Sequence, residues 1–432
     1  MTQTYLPNPD STVRWNLRQL YWDVFWFGTL AGTTLAFLAV YSARLGASSL
    51  QIGLLSAGPA VVSLLFTLPA GRWLEGKPLI RSAYLSAFAQ RAGYLVLVPI
   101  PWLFIQPQMQ VWVIIMITLV MSVAGTLLAI SFNALYAEVV PAEWRGRVVG
   151  WRNALVAVSV TLTTLLSGLL LDRIIFPLNY QIVFLIGACG ALLSSYHLRR
   201  IRRPNDAEAQ TGDPATALPA SVTRAYWWDW LLQIGRKKST EQTQRKPLLR
   251  MDLITSPFGL FMAGCLIFYT FQYFSIPIFP LYYVNILHMT DGQISLGGAI
   301  LHGSMMIGSL FTNRMSVLLG HRKLMLLGMI LFGQFTLLLG LARDATLYYV
   351  ACLFGGAIFA FLNGGLVNRL MERVPADDRP AHMALHNLAL NIGILAGSLL
   401  GPLFGEWIGL RDVLFVSTGL RLLAAVLLWR WG

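Results

Sequence analysis

The chain reads as an all-α integral membrane protein, with twelve transmembrane helices in two pseudo-symmetric six-helix bundles related by a parallel repeat. Three observations predict that class. Of its 432 residues, 56% are hydrophobic and only 12% charged, with a mean hydropathy of +0.62, whereas a soluble protein carries about 25% charged residues. Twelve apolar stretches are each long enough for a hydrocarbon core about 30 Å thick, which takes roughly 17–25 residues per helix. Finally, the second half of the chain returns residues of the first at nearly constant spacing.

The stretches lie near 23–43, 50–71, 81–103, 111–136, 152–172, 180–198, 257–283, 293–313, 323–341, 345–368, 385–405 and 412–429. Helices are the expected element, because a membrane β-strand alternates apolar and polar residues, and runs such as Val111 to Val120 are apolar on every side. Residues 1–198 and 257–432 form the two bundles, joined by a hydrophilic linker over 199–256. Its Pro-, Gly- and Asp-containing middle reads as solvated chain. Ser221–Gly235, with Trp227, Trp228 and Trp230 ahead of Arg236, Lys237 and Lys238, reads as an amphipathic helix lying on the inner leaflet.

Charge sets the orientation. With the N-terminus inside, 26 of the 32 Lys and Arg residues fall on the cytoplasmic side. Four occupy external loops: Arg44, Arg173, Arg343 and Arg411. Cytoplasmic loops carry such an excess, so both termini are expected inside, in the plasma or bacterial inner membrane. The first twenty residues lack an apolar core, and the first span is expected to act as its own insertion signal. The net charge of +13 is scattered between apolar segments, which argues against nucleic acid as a partner. Cys189, Cys265 and Cys352 stand far apart in apolar runs and are expected to be free, buried thiols.

The repeat is specific. Glu138-Val-Val-Pro141-Ala142-Glu143-Trp-Arg145, followed by Asn153, returns 234 residues later as Glu372-Arg-Val-Pro375-Ala376-Asp377-Asp-Arg379, followed by Asn387. At an offset of 242, Tyr41, Leu45, Gln51, Ile52 and Arg72 meet Tyr283, Leu287, Gln293, Ile294 and Arg314. Gln90 meets Gln334. Ser159, Thr163 and Ser167 align with Gly393, Gly397 and Gly401, so spans five and eleven each carry small residues on one face. Such faces let helices approach closely in lipid. Six spans repeated in one orientation make a parallel repeat about an axis along the membrane normal.

On these residues the chain resembles the major facilitator superfamily over all twelve spans. The paired Val-Pro-x-x-x-Arg loops after spans four and ten carry the likeness. The usual Gly- and Arg-rich signature after span two is degraded here to Gly71-Arg72-Trp-Leu-Glu75-Gly76-Lys77, and after span eight to Asn313-Arg314 through Gly320-His-Arg322-Lys323. The resemblance implies two bundles that rock about a central cavity, with spans five and eight, and two and eleven, crossing at their interface. The small-residue faces on spans five and eleven, and Gly298, Gly303 and Gly308 on span eight, are expected at those crossings.

Thr33, Thr34, Thr126, Gln272, Tyr273 and His302, with Asn363 and Asn391 nearer the inner mouth, are the candidate solute contacts in the spans that line that cavity. For each the competing reading is an interhelical hydrogen bond worth about 0.6 kcal/mol. His302 stands out because an imidazole at the bilayer centre is costly and titrates near neutrality. Arg91 and Arg421 also lie within spans, and the structural reading of each is carbonyl capping or snorkelling. Glu138 with Arg145, and Glu372 with Arg379, are seven residues apart across a proline-started turn. With Arg72, Glu75, Lys77, Arg152, Arg314 and Arg322 they are expected to form inner-gate ion pairs. His382 and His386 are one turn apart, but no further ligand completes a metal set, and no metal or other cofactor is expected. Glycine-rich stretches lack the Gly-Lys-Ser/Thr ending of a phosphate loop, and no acid, base and nucleophile share a depth, which argues against an enzyme.

No Asp or Glu occupies the middle of a span, and Asp23 stands at the inner end of span one. A cationic solute is therefore disfavoured. The expected function is secondary transport by alternating access of a small anionic or neutral polar or amphipathic solute, with a proton or ion as an open coupling partner and a monomer as the expected state. A transport-inactive sensor or scaffold of the same fold is the alternative, and a proton-coupled drug exporter a weaker one.

Overall fold

The computed structural model describes residues 10–74, 77–202, 251–375 and 379–431. Twelve long helices follow one another among the described residues: α1 (Ser11–Arg44), α2 (Ser49–Leu74), α3 (Leu79–Leu97), α4 (Pro107–Val139), α5 (Ala142–Arg173), α6 (Leu178–Arg199), α7 (Pro257–Ile286), α8 (Asp291–Leu319), α9 (His321–Leu341), α10 (Ala345–Arg373), α11 (Arg379–Ile408) and α12 (Leu410–Trp431). Eleven are long and apolar enough to cross a membrane. The remaining one, α3, is diluted by Arg81, Gln90 and Arg91 but packs among the others. Several helices outrun their hydropathy signal: α5 begins ten residues before the apolar stretch at 152, because its first turns are amphipathic. Span three instead ends early, at Leu97, where Pro99 and Pro101 isolate the short turn Ile100–Leu103. The amphipathic helix expected over 221–235 lies outside the described residues.

Local chemistry places the helix starts. Ser48 and Gln51 bond reciprocally through side chain and backbone at the start of α2. Thr290 and Gln293 repeat that capping box at the start of α8. The repeated glutamines thus do the same work in both halves. Ser256 caps α7 ahead of Pro257, and Asp344 caps α10. Helix α7 is interrupted between Ser275 and Ile278, where Pro277 cannot donate. Both α1 and α7 contain a π-helical turn, at Ala31–Leu35 and Tyr282–Ile286.

The packing is two-fold. In the first half α1 lies on α5 and α6, α3 on α4 and α6, and α2 on α4; adding six to each number gives the pairs of the second half. Between the halves α5 packs on α8 and α2 on α11, as the family resemblance implies, and the last turns of α1 meet the end of α7.

The small-residue stripes lie elsewhere than expected. Ser159, Thr163 and Ser167 of α5 face α1, with Ser159 Oγ donating to the Phe25 carbonyl at 2.7 Å and the other two lying against the carbonyls of Gly28 and Gly32. Gly393, Gly397 and Gly401 of α11 press on the α7 backbone between Leu266 and Phe274. Both stripes therefore serve the corresponding contact within each half. The reason is geometric: α1 and α7 approach nearest, so they need partners without bulk. Of the α8 glycines, Gly298 meets Thr164, Gly308 meets α10 at Ala357, and Gly303 faces open space. Of the thiols, Cys265 and Cys352 are buried, while Cys189 is exposed on the outer face of α6 that also carries Leu185 and Leu193.

A Cβ at Gly401 would strike the Phe274 carbonyl, whereas one at Gly419 meets nothing. Gly401→Val is expected to destabilise the detergent-purified protein by about 1–3 kcal/mol, read as a lowered thermal midpoint. Gly419→Val should leave the midpoint unchanged; equal effects would contradict the assigned contact.

Candidate functional site

The interior of the first half holds a charge cluster. Asp23 of α1, 2% exposed, faces Arg91 of α3 at 3.4 Å and Arg152 of α5 at 3.6 Å. Ser194 of α6 donates to its carboxylate at 2.6 Å. The second guanidinium also lies 4.7 Å above the Phe132 ring of α4. One carboxylate therefore ties together α1, α3, α5 and α6 and balances only one of two cations. An unpaired buried charge is far costlier than a paired one, so the cluster fixes how these helices meet.

The second half has a lone counterpart. Arg421 of α12, 1% exposed, donates to the Phe332 and Gln272 carbonyls, both at 3.2 Å, and to Ser275 Oγ at 2.8 Å. Its guanidinium sits 4.7 Å from the Phe332 ring. Among the described residues it has no carboxylate partner. Two of its acceptors, on Gln272 and Ser275, lie at the interruption of α7, where Pro277 disturbs the helical ladder, so Arg421 ties the broken turn to α9.

The two halves are clasped at one end. Arg44, at the end of α1, pairs with Asp291 of α8 at 3.0 Å and donates to the Met289 carbonyl at 2.5 Å. Asp172, at the end of α5, accepts from the Gly292 amide at 2.9 Å and from the Thr290 hydroxyl at 3.1 Å. A carboxylate at a helix N-terminus is favoured by free amides and by the helix dipole. One turn deeper, the Ser295 hydroxyl donates to the Thr164 carbonyl. Gly53 of α2 lies against the Ser398 carbonyl and Pro402 of α11. Among the described residues, the hydrogen bonds and ion pairs that join the halves lie at this end. At the opposite end Gly71, Gly146 and Gly150 have no other residue close to where a Cβ would sit.

The residues singled out from the sequence divide accordingly. His302 is half-buried near the middle of α8; its Nδ1 lies 2.8 Å from the Gly298 carbonyl, which only accepts, so that nitrogen carries a proton, and among the described residues Nε2 has no hydrogen-bond partner. Gln272 and Tyr273 are half-buried at the kink of α7, beside Gly397. Asn363 is exposed on α10, and Asn391 donates to the Asn387 carbonyl on α11 at 2.8 Å. Thr126 is buried on α4 and bonds the Ser122 carbonyl, near Ser63 of α2. Thr33 and Thr34 are fully buried against Gly187 of α6, on the side of α1 turned into its own half. His386 bonds Tyr269 at 2.9 Å and His382 packs on Phe258, so the two imidazoles have separate partners.

The gate residues are mostly apart from one another. Arg145 does not pair with Glu138: its donors reach the Val140 and Ala137 carbonyls at 3.1 and 2.7 Å. Those carbonyls close α4 and lack helical partners, so the guanidinium satisfies them as a C-terminal cap. Glu372 pairs with Arg369 at 2.9 Å and with His321 at 3.7 Å. Lys77 lies over the Trp73 ring at 3.1 Å, and Arg322 donates to the last turn of α12 at Trp429. Arg72 and Arg314 are exposed; Arg152 belongs to the buried cluster. Glu75 and the Arg379 side chain lie outside the described residues. Sequence reasoning missed the clasp residues Arg44, Asp172 and Asp291. Their signal was rarity, since Arg44 is among the few cations predicted on that side.

Residues 24–274 and 260–432 match the model of the family described as Major Facilitator Superfamily. A curated relative, Multidrug resistance protein 2 of Bacillus subtilis (strain 168), is 24% identical over 151 residues, 35% of this chain and 37% of that protein. The chain thus aligns with little more than a third of that relative's length. Among solved structures, a mutant of the nucleoside transporter NupG superposes with a TM-score of 0.70 at 12% identity, covering 96% of this chain and 99% of the other. The xylose transporter XylE from E. coli, in a partially occluded inward-open conformation, gives 0.66 at 14%, covering 98% of each. A bacterial homologue of the lysosomal transporter Spinster, inward-facing and unoccupied, gives 0.68 at 13%, again over 98% of each. At these identities the likeness is one of fold.

Asp23→Asn should leave two guanidinia uncompensated and destabilise the protein by about 3–5 kcal/mol. Combining it with Arg91→Met is expected to restore part of the lost thermal midpoint. A double variant no more stable than the single one would rule out the charge balance described.

Proposed function

The chain belongs to the Major Facilitator Superfamily, and from that premise we propose that it moves a small anionic or neutral polar or amphipathic solute across a cell membrane by alternating access, with both termini cytoplasmic. Family membership makes it a multi-pass membrane transporter of a small solute rather than an enzyme. The observation that carries the finer reading is the one-ended clasp. Two halves of matching architecture, joined at one end by Arg44–Asp291 and Asp172–Gly292, support a state open at the other end, which is inward-facing in the proposed orientation.

Solute charge follows from the buried inventory. Arg91, Arg421 and the largely buried Arg152 have one carboxylate among them, that of Asp23, while the other buried carboxylate, Asp291, is taken by Arg44. In a low-dielectric interior that surplus reaches well beyond contact and repels a cation. Gln272 and Tyr273 at the α7 kink, His302 on α8, Thr126 on α4, and Asn363 and Asn391 toward the mouth form the proposed solute wall. Arg72, Lys77, Glu138, Arg145, Arg314, Arg322 and Glu372, with Glu75 and Arg379, are proposed to regroup at the inner mouth when it closes, while residues 1–198 and 257–432 move as the two bodies.

The partial likeness to a multidrug resistance protein favours a second reading, export of an amphipathic drug. Uptake into proteoliposomes separates the readings. Wild type is expected to take up anionic or neutral solutes in preference to lipophilic cations. Gln272→Ala and Tyr273→Ala should each lower that uptake about tenfold or more at unchanged expression. Preferred transport of lipophilic cations would overturn the anionic or neutral assignment, and full activity in both variants would remove Gln272 and Tyr273 from the wall. A chain that transports nothing while binding solute would be a sensor of the same fold.

A further inference from the structure

A groove of about 660 Å³ opens between the first turns of α1 and α5, at the end opposite the clasp. Its size falls in the range of small-molecule sites, roughly 300–1,000 Å³. The lining is graded along the helices. Arg14, Arg18 and Arg147 stand at the outer end, and Trp22, Phe25, Trp151 and Leu155 form the deeper wall. The three arginines are exposed, and among the described residues none has an ion-pair partner; Arg147 only leans over the Trp144 ring at 5.5 Å. No carboxylate lines the groove.

The groove faces lipid rather than the space between the halves. Trp151 and Leu155 continue a helical stripe through Leu162, Leu166 and Leu169, and these three leucines and Trp151 are each more than half exposed. That stripe points away from the α8 contact made by Thr164 and Gly168. An occupant must therefore come from the bilayer, carry negative charge at the level of the helix ends and be apolar for several helical turns below.

We infer that this groove seats an anionic phospholipid, with its phosphate on Arg14, Arg18 and Arg147 and an acyl chain along Trp22, Phe25, Trp151 and Leu155. Basic clefts between membrane helices on the cytoplasmic side recognise anionic headgroups by this chemistry. Assignment to the inner leaflet rests on the orientation proposed above; the binding does not. The lipid lies between the first turns of α1 and α5, outward of the Asp23–Arg152 and Phe25–Ser159 contacts.

The experiment is native mass spectrometry of the purified protein titrated with phosphatidylglycerol or with phosphatidylcholine of the same chains. Wild type should retain phosphatidylglycerol at least about tenfold more tightly. The variant Arg14→Gln, Arg18→Gln, Arg147→Gln should lose that preference while retaining phosphatidylcholine as before, and Trp151→Ala with Leu155→Ala should weaken phosphatidylglycerol retention. Equal retention of the two lipids by wild type, or an undiminished preference in the arginine variant, would overturn the proposal. So would displacement of phosphatidylglycerol by millimolar inorganic phosphate, which would mark a small-anion site. None of these readouts depends on transport.

Discussion

The clasp between the halves is the contact on which the rest of the molecule turns. It is built from contacts that are individually weak. Arg44 is partly exposed where it meets the buried Asp291, so water screens one side of the pair. Asp172 gains two hydrogen bonds at the start of α8, also at an exposed end. A junction of this strength holds the two halves in register and yet yields to modest differential binding on the other side. The backbone crossings beneath it, Gly53 on α11 and Gly168 on Ser295, are close because small residues meet there, so the helices can part without unthreading bulky side chains.

The halves themselves are built differently. Asp23 with Arg91, Arg152 and Ser194 is buried at the meeting of four helices, and Arg421 is sunk on carbonyls at the α7 kink. Removing a partner from such a site leaves a charge or a polar group stranded in low dielectric, which is far more expensive than opening an exposed pair. The glycine stripe of α11 on α7 and the hydroxyl stripe of α5 on α1 add tight backbone packing within each half. Strong ties within each half and a junction confined to one end are what the proposed motion of one half against the other requires. The same interior charges leave an excess of guanidinium, the basis of the proposed preference for an anionic or neutral solute.

Much of this was legible in the sequence. Composition and span length gave the all-helical membrane class, and the repeat at offsets of 234 and 242 gave the two-fold arrangement; the α5–α8 and α2–α11 contacts were implied by the family resemblance. Gln51 and Gln293 read as a repeat and turn out to be matching capping residues. What spacing does not encode is which face of a helix meets which neighbour. The small-residue stripes were periodic whether they faced the partner half or their own, and only the near approach of α1 and α7 decides it. The same limit hid the Asp23 cluster, whose members are far apart in sequence, and put Thr33 and Thr34 among solute contacts although they face α6. Arg145 shows a second limit: sequence spacing pairs charges, but terminal helix carbonyls compete for the same donors.

The claim that the halves rock about the seam is tested most directly by spin-label distances in lipid, with Cys189→Ser removing the exposed native thiol. One pair, Arg173→Cys with Arg343→Cys, reports on the clasped end, and another, Gly150→Cys with Asn313→Cys, on the open end. Weakening the clasp with Asp172→Asn is expected to lengthen the first distance and shorten the second together. A clasped end that opens while the other end stays unchanged, or two distances that both stay fixed, would contradict rigid-body alternation.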